Sequence, residues 1–571
     1  MKDRKMPHAS RFKWSLILDY IVFPLLLIWF IYQPDFMHGF IVDHFESGKE
    51  LVCINEVLHG KALYKDTIPY FGPLCTYLQT LFMLAFGTTI ASLKAYFYAG
   101  TLSLLVISYL VGYRLFRSRL FAYLLALSLA VETINPYWSL WWGGFRFGFG
   151  MAAILFFIAF LEKGKRAYAF LTGMFIAVAL LTSIDVGVMS AISIIFTYYL
   201  YAWRRGRESN TQPPGHASWF LFGIASIAAP FVLYCLKKNA LFSYLETTYI
   251  LVTNHIKVWG TGGMVINLKS AFAFHNILTV DFKVAAVAFL YVFTAIYMIN
   301  RFRKNILQWP DYGIICLSIY GLLMYKASFR AVLGPQFEMA LQPALIVLLF
   351  FMSRLWGSIT DILRNNRKII PGKPNREKKP LALVSLSIVL ILISTYLIFS
   401  EKVSYRSVKD FITYQKHKDY FMPLGRGFLP LNSVKFSTLT VARAKNMKMP
   451  SEYAQYVEGA TKYISRVTNP DEKVFTFPDL ALINFLADRP SLDRFGIAIF
   501  AWTWRPWREE LLNDLRRLKP RYIVRGNGIS SLASSIKRKT EFLPEVIDYM
   551  NSNYYVEASF GPVDILRSKY K

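Results

Sequence analysis

Long apolar runs alternate with short polar connections along the first 400 positions of the chain. Apolar runs of about 17–25 residues are long enough to cross a bilayer as helices. The pattern therefore predicts a polytopic α-helical membrane protein with about eleven transmembrane helices. The predicted spans are residues 14–33, 93–113, 119–134, 147–161, 167–183, 186–203, 218–235, 283–300, 311–326, 340–354 and 381–399.

The apolar run at residues 73–86 is the ambiguous one. We interpret it as a re-entrant or interfacial helix, because a full span there would invert the orientation of every later helix. This helix is part of an outer loop at residues 34–92, between the first two spans, and the loop belongs to a membrane module predicted at residues 1–399.

Basic residues collect in alternate connections between the predicted spans. The basic set comprises the N-terminus, residues 114–119, 163–166, 204–207 and 301–304, and the dense segment 354–379. The other connections carry far fewer lysines and arginines. The positive-inside rule then predicts a cytoplasmic N-terminus, and an odd number of spans predicts an extracytoplasmic outer loop and C-terminus. We expect a bacterial inner-membrane protein with this orientation.

Composition supports the membrane assignment, since 54% of the residues are hydrophobic and the mean hydropathy is +0.34. The net charge of +29 is what a nucleic-acid-binding protein can show, but topology accounts for most of these basic residues. The lipid bilayer is therefore an expected partner, and nucleic acid is not. The four cysteines lack zinc or redox spacing, and Cys53 and Cys75 either form a disulfide or remain buried thiols.

From residue 400 onward the composition becomes that of a small soluble unit. Residues 473–478 and 521–524 are predicted strands, residues 480–487 and 507–518 are predicted helices, and residues 554–560 and 563–567 are predicted to form a closing pair. The sequence thus predicts an extracytoplasmic connector and a small α/β domain at residues 400–571. No catalytic triad, metal-ligand or P-loop pattern occurs in it.

Acidic residues concentrate in the outer loop, between Asp43 and Pro73. Carboxylates beside a bilayer are costly unless they have a function, so this loop is the candidate active site. If a helix begins here, Asp43, Glu46 and Glu50 follow one another at helical i+3 and i+4 spacings and share a face. Crowded carboxylates raise one another's pKa, which suits a general base, but they could equally hold a divalent cation or form a solvated acidic face.

Other charged residues are predicted at the same outer level of the membrane. Arg146, Lys326 and Arg330 could neutralise a phosphate leaving group, because guanidinium groups bind phosphate oxygens bidentately. Asp185 is either paired with a cation such as Arg146 or belongs to a site. A longer outer loop is predicted at residues 236–282, and it carries His255.

The segment from Asp43 to Lys94 resembles the first outer loop of the GT-C glycosyltransferase superfamily. The residues that carry the resemblance are Asp43-His-Phe-Glu46, Gly60-Lys-Ala-Leu-Tyr-Lys-Asp66, Tyr70-Phe-Gly-Pro73 and the run that ends at Gly87. The superfamily includes protein O-mannosyltransferases and lipid A aminoarabinose transferases. Bacterial members often show an acidic pair, a "G-x-x-x-Y-R-D" segment and a "G-P-L" start of a helix that ends in "F-G".

The resemblance implies a sugar donor linked to polyprenyl phosphate, an extracytoplasmic acceptor (a lipid, a glycan or a protein) and transfer with inversion. It implies that Asp43 is the catalytic base, with Glu46 as a helper or a replacement. Asp66 would orient the loop or bind the acceptor. The substrate-binding residues would be Asp66, Lys94, Arg146, Asp185, His255, Lys326 and Arg330.

Two rival classes remain open at this point. A transporter or flippase of a lipid-linked glycan would place charges near the bilayer midplane and often shows inverted repeats. A structural scaffold would need none of the acidic residues. The charges cluster at one surface and no repeat is visible, which favours the enzyme.

Overall fold

The computed structural model describes eleven stretches of the chain, and the statements below refer to them. They are residues 17–26, 44–133, 144–209, 216–259, 280–328, 335–366, 421–424, 427–430, 435–445, 447–526 and 543–570.

The described part of the membrane module is mostly helical, and its longest non-helical stretch is residues 59–72, with a β-bridge between Leu63 and Thr67. A short helical segment at Leu18–Val22 precedes twelve α-helices. These are α1 (His44–Leu58), α2 (Pro73–Phe86), α3 (Ile90–Phe116), α4 (Arg119–Thr133), α5 (Gly144–Lys163), α6 (Arg166–Thr182), α7 (Ile184–Ser209), α8 (Ala217–Lys237), α9 (Leu241–Trp259), α10 (Val280–Arg303), α11 (Trp309–Ser328) and α12 (Pro335–Asn366).

Six of the described helices contain a segment long and apolar enough to cross a membrane, judged by length and composition. They are Ile90–Phe116, Gly144–Lys163, Ile184–Gly206, Ala217–Lys237, Ala285–Arg303 and Leu341–Thr360. Shorter apolar helices occur at Pro73–Phe86, Arg119–Leu129 and Arg166–Thr182. The polytopic helical fold agrees with the prediction, the count of eleven spans is not confirmed, and the span predicted at 381–399 lies outside the described residues.

Helices α3–α8 and α10–α12 pack around one apolar cluster that includes Leu104, Met151, Phe157, Leu317 and Phe350. The outward faces are apolar as well. On α8, for example, Leu221, Phe222 and Leu233 are all more than half exposed. A helix that is apolar both toward its neighbours and toward its surroundings is typical of a protein embedded in lipid.

Asp19 attaches the first helical segment to the hairpin between α3 and α4. Its carboxylate is buried and accepts hydrogen bonds from Tyr113 Oη (3.0 Å), Tyr123 Oη (2.9 Å) and Arg119 Nε (2.8 Å). A carboxylate in an apolar setting needs such partners, and here they belong to two other helices. Sequence inspection did not single out this residue.

The C-terminal unit contains the predicted α/β arrangement. Its elements are β1 (Phe421–Leu424), β2 (Gly427–Pro430), β3 (Phe436–Thr438), β4 (Lys448–Pro450), α13 (Ser451–Val467), β5 (Phe475–Phe477), α14 (Ala481–Ala487), α15 (Ala498–Thr503), α16 (Arg505–Leu518), β6 (Tyr522–Gly526), α17 (Pro544–Asn553), β7 (Tyr554–Phe560) and β8 (Val563–Ser568). The predicted strands, helices and closing hairpin all lie within one or two residues of these bounds.

The main sheet of this unit has the order β5-β6-β8-β7. β5 and β6 are parallel, with Phe475 opposite Ile523, whereas β8 pairs antiparallel with both β6 and β7. The amphipathic helix α13 buries Ala454, Val457, Ala460 and Ile464, which share one helical face and join the apolar cluster of this unit. β1 pairs with β2, and β3 with β4, in two separate hairpins.

The predicted loop at residues 236–282 is wrong over much of its length, because α9 occupies Leu241–Trp259. Polar residues such as Glu246 suggested a loop. However, Tyr244, Thr247 and Leu251 recur at helical spacing and are turned toward the protein, while Phe242, Leu245 and Tyr249 are more than half exposed, so both faces of this helix are largely apolar. Residues 260–279 lie outside the described residues.

The outer loop and the C-terminal unit share apolar clusters. Leu51 and Ile54 of α1 belong to the same cluster as Leu482 and Phe485, and an ideal Cβ on Gly48 would lie 2.7 Å from Leu482 N. Backbone and side-chain hydrogen bonds join the same parts: Ile68 N donates to Arg494 O (2.7 Å), and Asn55 Nδ2 donates to Arg489 O (3.1 Å). The domain boundary near residue 400 remains a prediction.

All four cysteines are free and buried, so the disulfide alternative is wrong. Cys53 Sγ donates to Ile68 O (3.2 Å), and Cys75 Sγ lies 3.6 Å from Tyr96 Oη. Burial raises the pKa of Cys53 to about 12, which keeps it a protonated thiol at neutral pH.

Candidate active site

A cavity of about 430 Å³ lies where the outer loop, five helices of the membrane module and the C-terminal unit meet. It is lined by the outer loop from Tyr64 to Pro73, by α5, by the α6–α7 junction, by α9, by the end of α11 and by α15. The lining side chains are mostly aliphatic or aromatic. A largely apolar cavity with few polar groups is the usual form of a site for a small or amphiphilic ligand.

Close backbone contacts place the outer loop at the cavity. Gly72 N donates to Thr182 O (3.0 Å), and an ideal Cβ on Gly72 would lie only 2.2 Å from Leu181 O. Any larger residue would therefore separate the loop from the end of α6. Pro73 follows as the first residue of α2, where its missing N–H costs no hydrogen bond. The neighbouring Tyr70 and Phe71 become part of the wall.

Arg146 is positioned by the close packing of α5 on α3. An ideal Cβ on Gly100 would lie 2.5 Å from Phe145 N, so the first turn of α5 lies directly against α3. Arg146 Nε donates to Ser183 Oγ (2.8 Å), and its Nη2 lies 2.6 Å from Asp185 Oδ2. Its guanidinium carbon is 4.6 Å from the centroid of the Phe71 ring. Helix packing, a salt bridge and a cation–π contact together fix the guanidinium.

Arg146 and Asp185 form the charged part of the cavity wall. Among the described lining residues Arg146 is the sole cation and Asp185 the sole carboxylate. The Arg146 side chain is 15% exposed and the Asp185 side chain 47% exposed. The two alternatives for Asp185 are therefore not exclusive, because it is paired with Arg146 and also lines the cavity.

The other residues selected from the sequence lie apart from this pair or beyond what is described. Asp66 accepts a hydrogen bond from Ala62 N (2.9 Å) within its own loop, Lys94 is buried in α3, and Lys326 is exposed next to the lining residues Ala327 and Ser328. Glu46 and His255 belong to α1 and α9 as backbone positions, without described side chains. Asp43 and Arg330 lie outside the described residues.

The second turn of α1 lies directly behind the cavity wall. Lys49 is buried, and its Nζ lies 3.8 Å from the centroid of the Tyr70 ring, which lines the cavity. Glu50 beside it is also buried. The amino-terminal part of α1 is thereby connected to the cavity through Tyr70.

Sequence reasoning missed the aromatic wall and the contribution of the C-terminal unit. Tyr64 and Tyr244 meet edge to face at 4.9 Å between ring centroids, and Tyr70 lies 6.2 Å from Phe500 of α15. Tyr70 is within the segment that carries the family resemblance. Tyr244 and Phe500 are far away in the chain, and their local sequences contain no signal for this contact.

The described residues contain no group of three or more His, Cys, Asp or Glu side chains that could hold a metal ion. The side chains of Asp43, His44 and Glu46 are not among them. The divalent-cation alternative for the acidic loop therefore stays a prediction.

Comparison with known proteins finds no matching family model and no matching curated protein. Solved structures align over nearly the whole chain. The archaeal oligosaccharyltransferase AglB from Archaeoglobus fulgidus, in complex with an inhibitory peptide and a dolichol-phosphate, is 13% identical with a TM-score of 0.45, over 98% of this chain and 75% of AglB. ArnT from Cupriavidus metallidurans bound to undecaprenyl phosphate is 11% identical with a TM-score of 0.49, over 97% of each chain. Both TM-scores lie below 0.5.

Proposed function

We propose that the protein is a GT-C-type membrane glycosyltransferase that moves a sugar from a polyprenyl-phosphate-linked donor to an extracytoplasmic acceptor. The observation that carries the proposal is the cavity beside the outer loop, which presents one guanidinium in a mostly apolar wall. An amphiphilic donor needs both features. Its phosphate can take two parallel hydrogen bonds from Arg146, and its isoprenoid carbons can contact the apolar residues.

In this proposal Asp43 is the general base. The acceptor hydroxyl loses its proton to Asp43 while its oxygen forms a bond to the anomeric carbon. The bond between that carbon and the phosphate oxygen breaks, and polyprenyl phosphate leaves on the opposite face, so the configuration inverts. Arg146 stabilises the charge that develops on the phosphate.

The position of α1 supports this assignment. Asp43 directly precedes α1, and Glu46 lies one helical turn before Lys49, whose ammonium contacts the lining residue Tyr70. Glu46 is the helper or alternative base. Asp66, Lys94, His255, Lys326 and Arg330 stay proposed substrate-binding residues, with Lys326 nearest in sequence to the described lining. The acceptor class, a metal requirement, the extracytoplasmic orientation and the bacterial inner membrane are parts of the same proposal.

The decisive experiment uses the purified protein in lipid nanodiscs with a panel of polyprenyl-phosphate sugars and candidate acceptors. We expect Asp43→Asn to reduce transfer by about 10²–10⁴-fold, the usual contribution of a general base, without loss of folding. Glu162→Gln is the matched control, because Glu162 pairs with Arg114 away from the cavity lining. Full activity of Asp43→Asn together with inactivity of Glu46→Gln would move the base to Glu46.

A different outcome would favour the rival class. If sealed vesicles move a lipid-linked glycan across the bilayer without breaking its sugar–phosphate bond, the protein is a transporter. If every carboxylate of the loop can be replaced without effect on transfer, the proposed site is wrong.

A further inference from the structure

We propose that Asp185 is a built-in competitor of the donor phosphate for Arg146, so that carboxylate and phosphate exchange at one guanidinium during each turnover. The inference rests on the proposed function, because it takes the phosphate of a polyprenyl lipid as the ligand of this site. It assigns Asp185 a role in the affinity and release of that lipid.

The Arg146–Asp185 ion pair lies at the wall of the cavity. Asp185 Oδ2 lies 2.6 Å from Arg146 Nη2 at the cavity wall, and the pair is the only charged part of the described lining. The two charges cancel each other. A phosphate that approaches the intact pair meets no net positive charge from it, and it lies close to a carboxylate of its own sign.

The amino terminus of α7 also favours an anion beside Arg146. Asp185 lies in the first turn of this helix, and Val186 N donates to its Oδ1 (2.9 Å). Unpaired N–H groups and the helix dipole make a helix amino terminus favourable for an anion. A guanidinium and a helix terminus, two features that attract a phosphate, therefore hold one carboxylate at the cavity.

Ser183 connects the two charged groups. Its hydroxyl accepts a hydrogen bond from Arg146 Nε (2.8 Å) and donates one to Asp185 Oδ1. A hydroxyl can rotate to donate to a new acceptor, so it can follow an exchange of anions without leaving Arg146. With 47% of its side chain exposed, Asp185 has room to move away from the guanidinium.

The charge of the lipid changes during the proposed reaction, so the donor and the product interact differently with Arg146 and Asp185. The donor is a phosphodiester with one negative charge, whereas the product polyprenyl phosphate is a monoester with about 1.5–2 negative charges at neutral pH. Attraction by Arg146 and repulsion by Asp185 are therefore both stronger for the product than for the donor, and the carboxylate offsets the tighter hold of the guanidinium on the product. Asp185 would recover Arg146 after transfer and expel the product.

The test compares the binding of undecaprenyl phosphate and of neutral undecaprenol to the full chain in nanodiscs. We expect Asp185→Asn to bind the phosphate roughly tenfold more tightly, while undecaprenol binding stays unchanged. Asp185→Ser is a second neutral variant with the same expectation. Glu162→Gln removes a paired carboxylate away from the cavity lining, and we expect its affinity to stay within about threefold of the wild type.

Turnover kinetics supply an independent readout. In Asp185→Asn we expect the steady-state rate to fall several-fold relative to the rate of the first turnover, because the product is retained. Asp185→Glu keeps the charge and should retain the wild-type steady state.

The outcomes separate the two proposals. If the wild type and both neutral variants bind undecaprenyl phosphate no better than undecaprenol, Arg146 does not bind a lipid phosphate and the proposed function fails. If the wild type prefers the phosphate but both neutral variants bind it equally or more weakly, then Asp185 merely positions Arg146 and the exchange is wrong. If neither neutral variant folds, Asp185 is a structural partner and the exchange is equally wrong.

Discussion

Glu56 and Asp185 are two carboxylates that are each paired with a basic side chain, Lys61 and Arg146 respectively. Glu56 is fully buried between the outer loop and the C-terminal unit, where Lys61 Nζ contacts its Oε2 and Ser491 N donates to its Oε1 (2.6 Å). Asp185 is about half exposed at the cavity wall.

The two carboxylates differ in whether a ligand can reach them, and this difference separates a structural acidic residue from a functional one. The oxygens of Glu56 are occupied by partners inside a closed interface, so this residue joins two parts of the chain. The oxygens of Asp185 also have partners, but they face a space that a ligand can enter. Charge pairing alone does not distinguish a structural pair from a functional one; the access of a ligand does.

The largest effect on stability is expected at Glu56. Glu56→Ala leaves Ser491 N buried without an acceptor and removes the partner of Lys61, which should lower the free energy of unfolding by about 3 kcal/mol. The thermal midpoint of the purified protein and protease resistance of the C-terminal unit measure this loss. Asp185→Ala is the comparison, and a loss of stability as large as that of Glu56→Ala would show that Asp185 is a structural partner as well.

A smaller effect is expected from Asp493, a neighbour of Glu56 in the same interface. Burial raises the pKa of Asp493 from 3.8 to about 6, although Phe495 N and Gly496 N donate hydrogen bonds to its carboxylate. Between these pH values the folded protein keeps a proton that the unfolded chain has lost. The contribution of Asp493 to stability is therefore highest below pH 4 and falls as the pH rises through 6, by about 2 kcal/mol between pH 4 and 7.

Thermal unfolding at a series of pH values tests this prediction. Asp493→Asn cannot lose a proton in this range, so its stability should fall less steeply between pH 4 and 7 than that of the wild type. Parallel curves for the two proteins would show that Asp493 does not titrate in this range.

The smallest effect on stability is expected at Arg146. Arg146→Lys keeps the positive charge beside Asp185 but loses the planar fork, so we expect roughly tenfold weaker binding of undecaprenyl phosphate with little change in the thermal midpoint. Equilibrium binding in nanodiscs measures the first quantity. Unchanged affinity together with a large loss of stability would place Arg146 in the same structural class as Glu56.

Much of the fold follows from short-range patterns. The helical membrane module, the strands at 475–477 and 522–526 and the hairpin at 554–568 agree with the predictions, because hydrophobic periodicity within a few residues determines such elements. The same reasoning failed at α9. The polar residues Glu246, His255 and Lys257 suggested a loop, although both faces of this helix are largely apolar, and the packing of Ile250 and Leu251 near α15 is not visible in the sequence.

The hydrophobic pattern of the chain was enough to predict a helical membrane protein with an α/β unit at its C-terminal end, and the distribution of acidic residues indicated the outer loop as a candidate site. Which charged residues form contacts depends on the tertiary structure. Arg146 and Asp185 are 39 residues apart, and Ser491 is 435 residues from Glu56. Such contacts depend on close backbone approach at Gly72 and Gly100 and on the packing of α1 against the C-terminal unit. Periodicity along the chain contains no information about these long-range approaches.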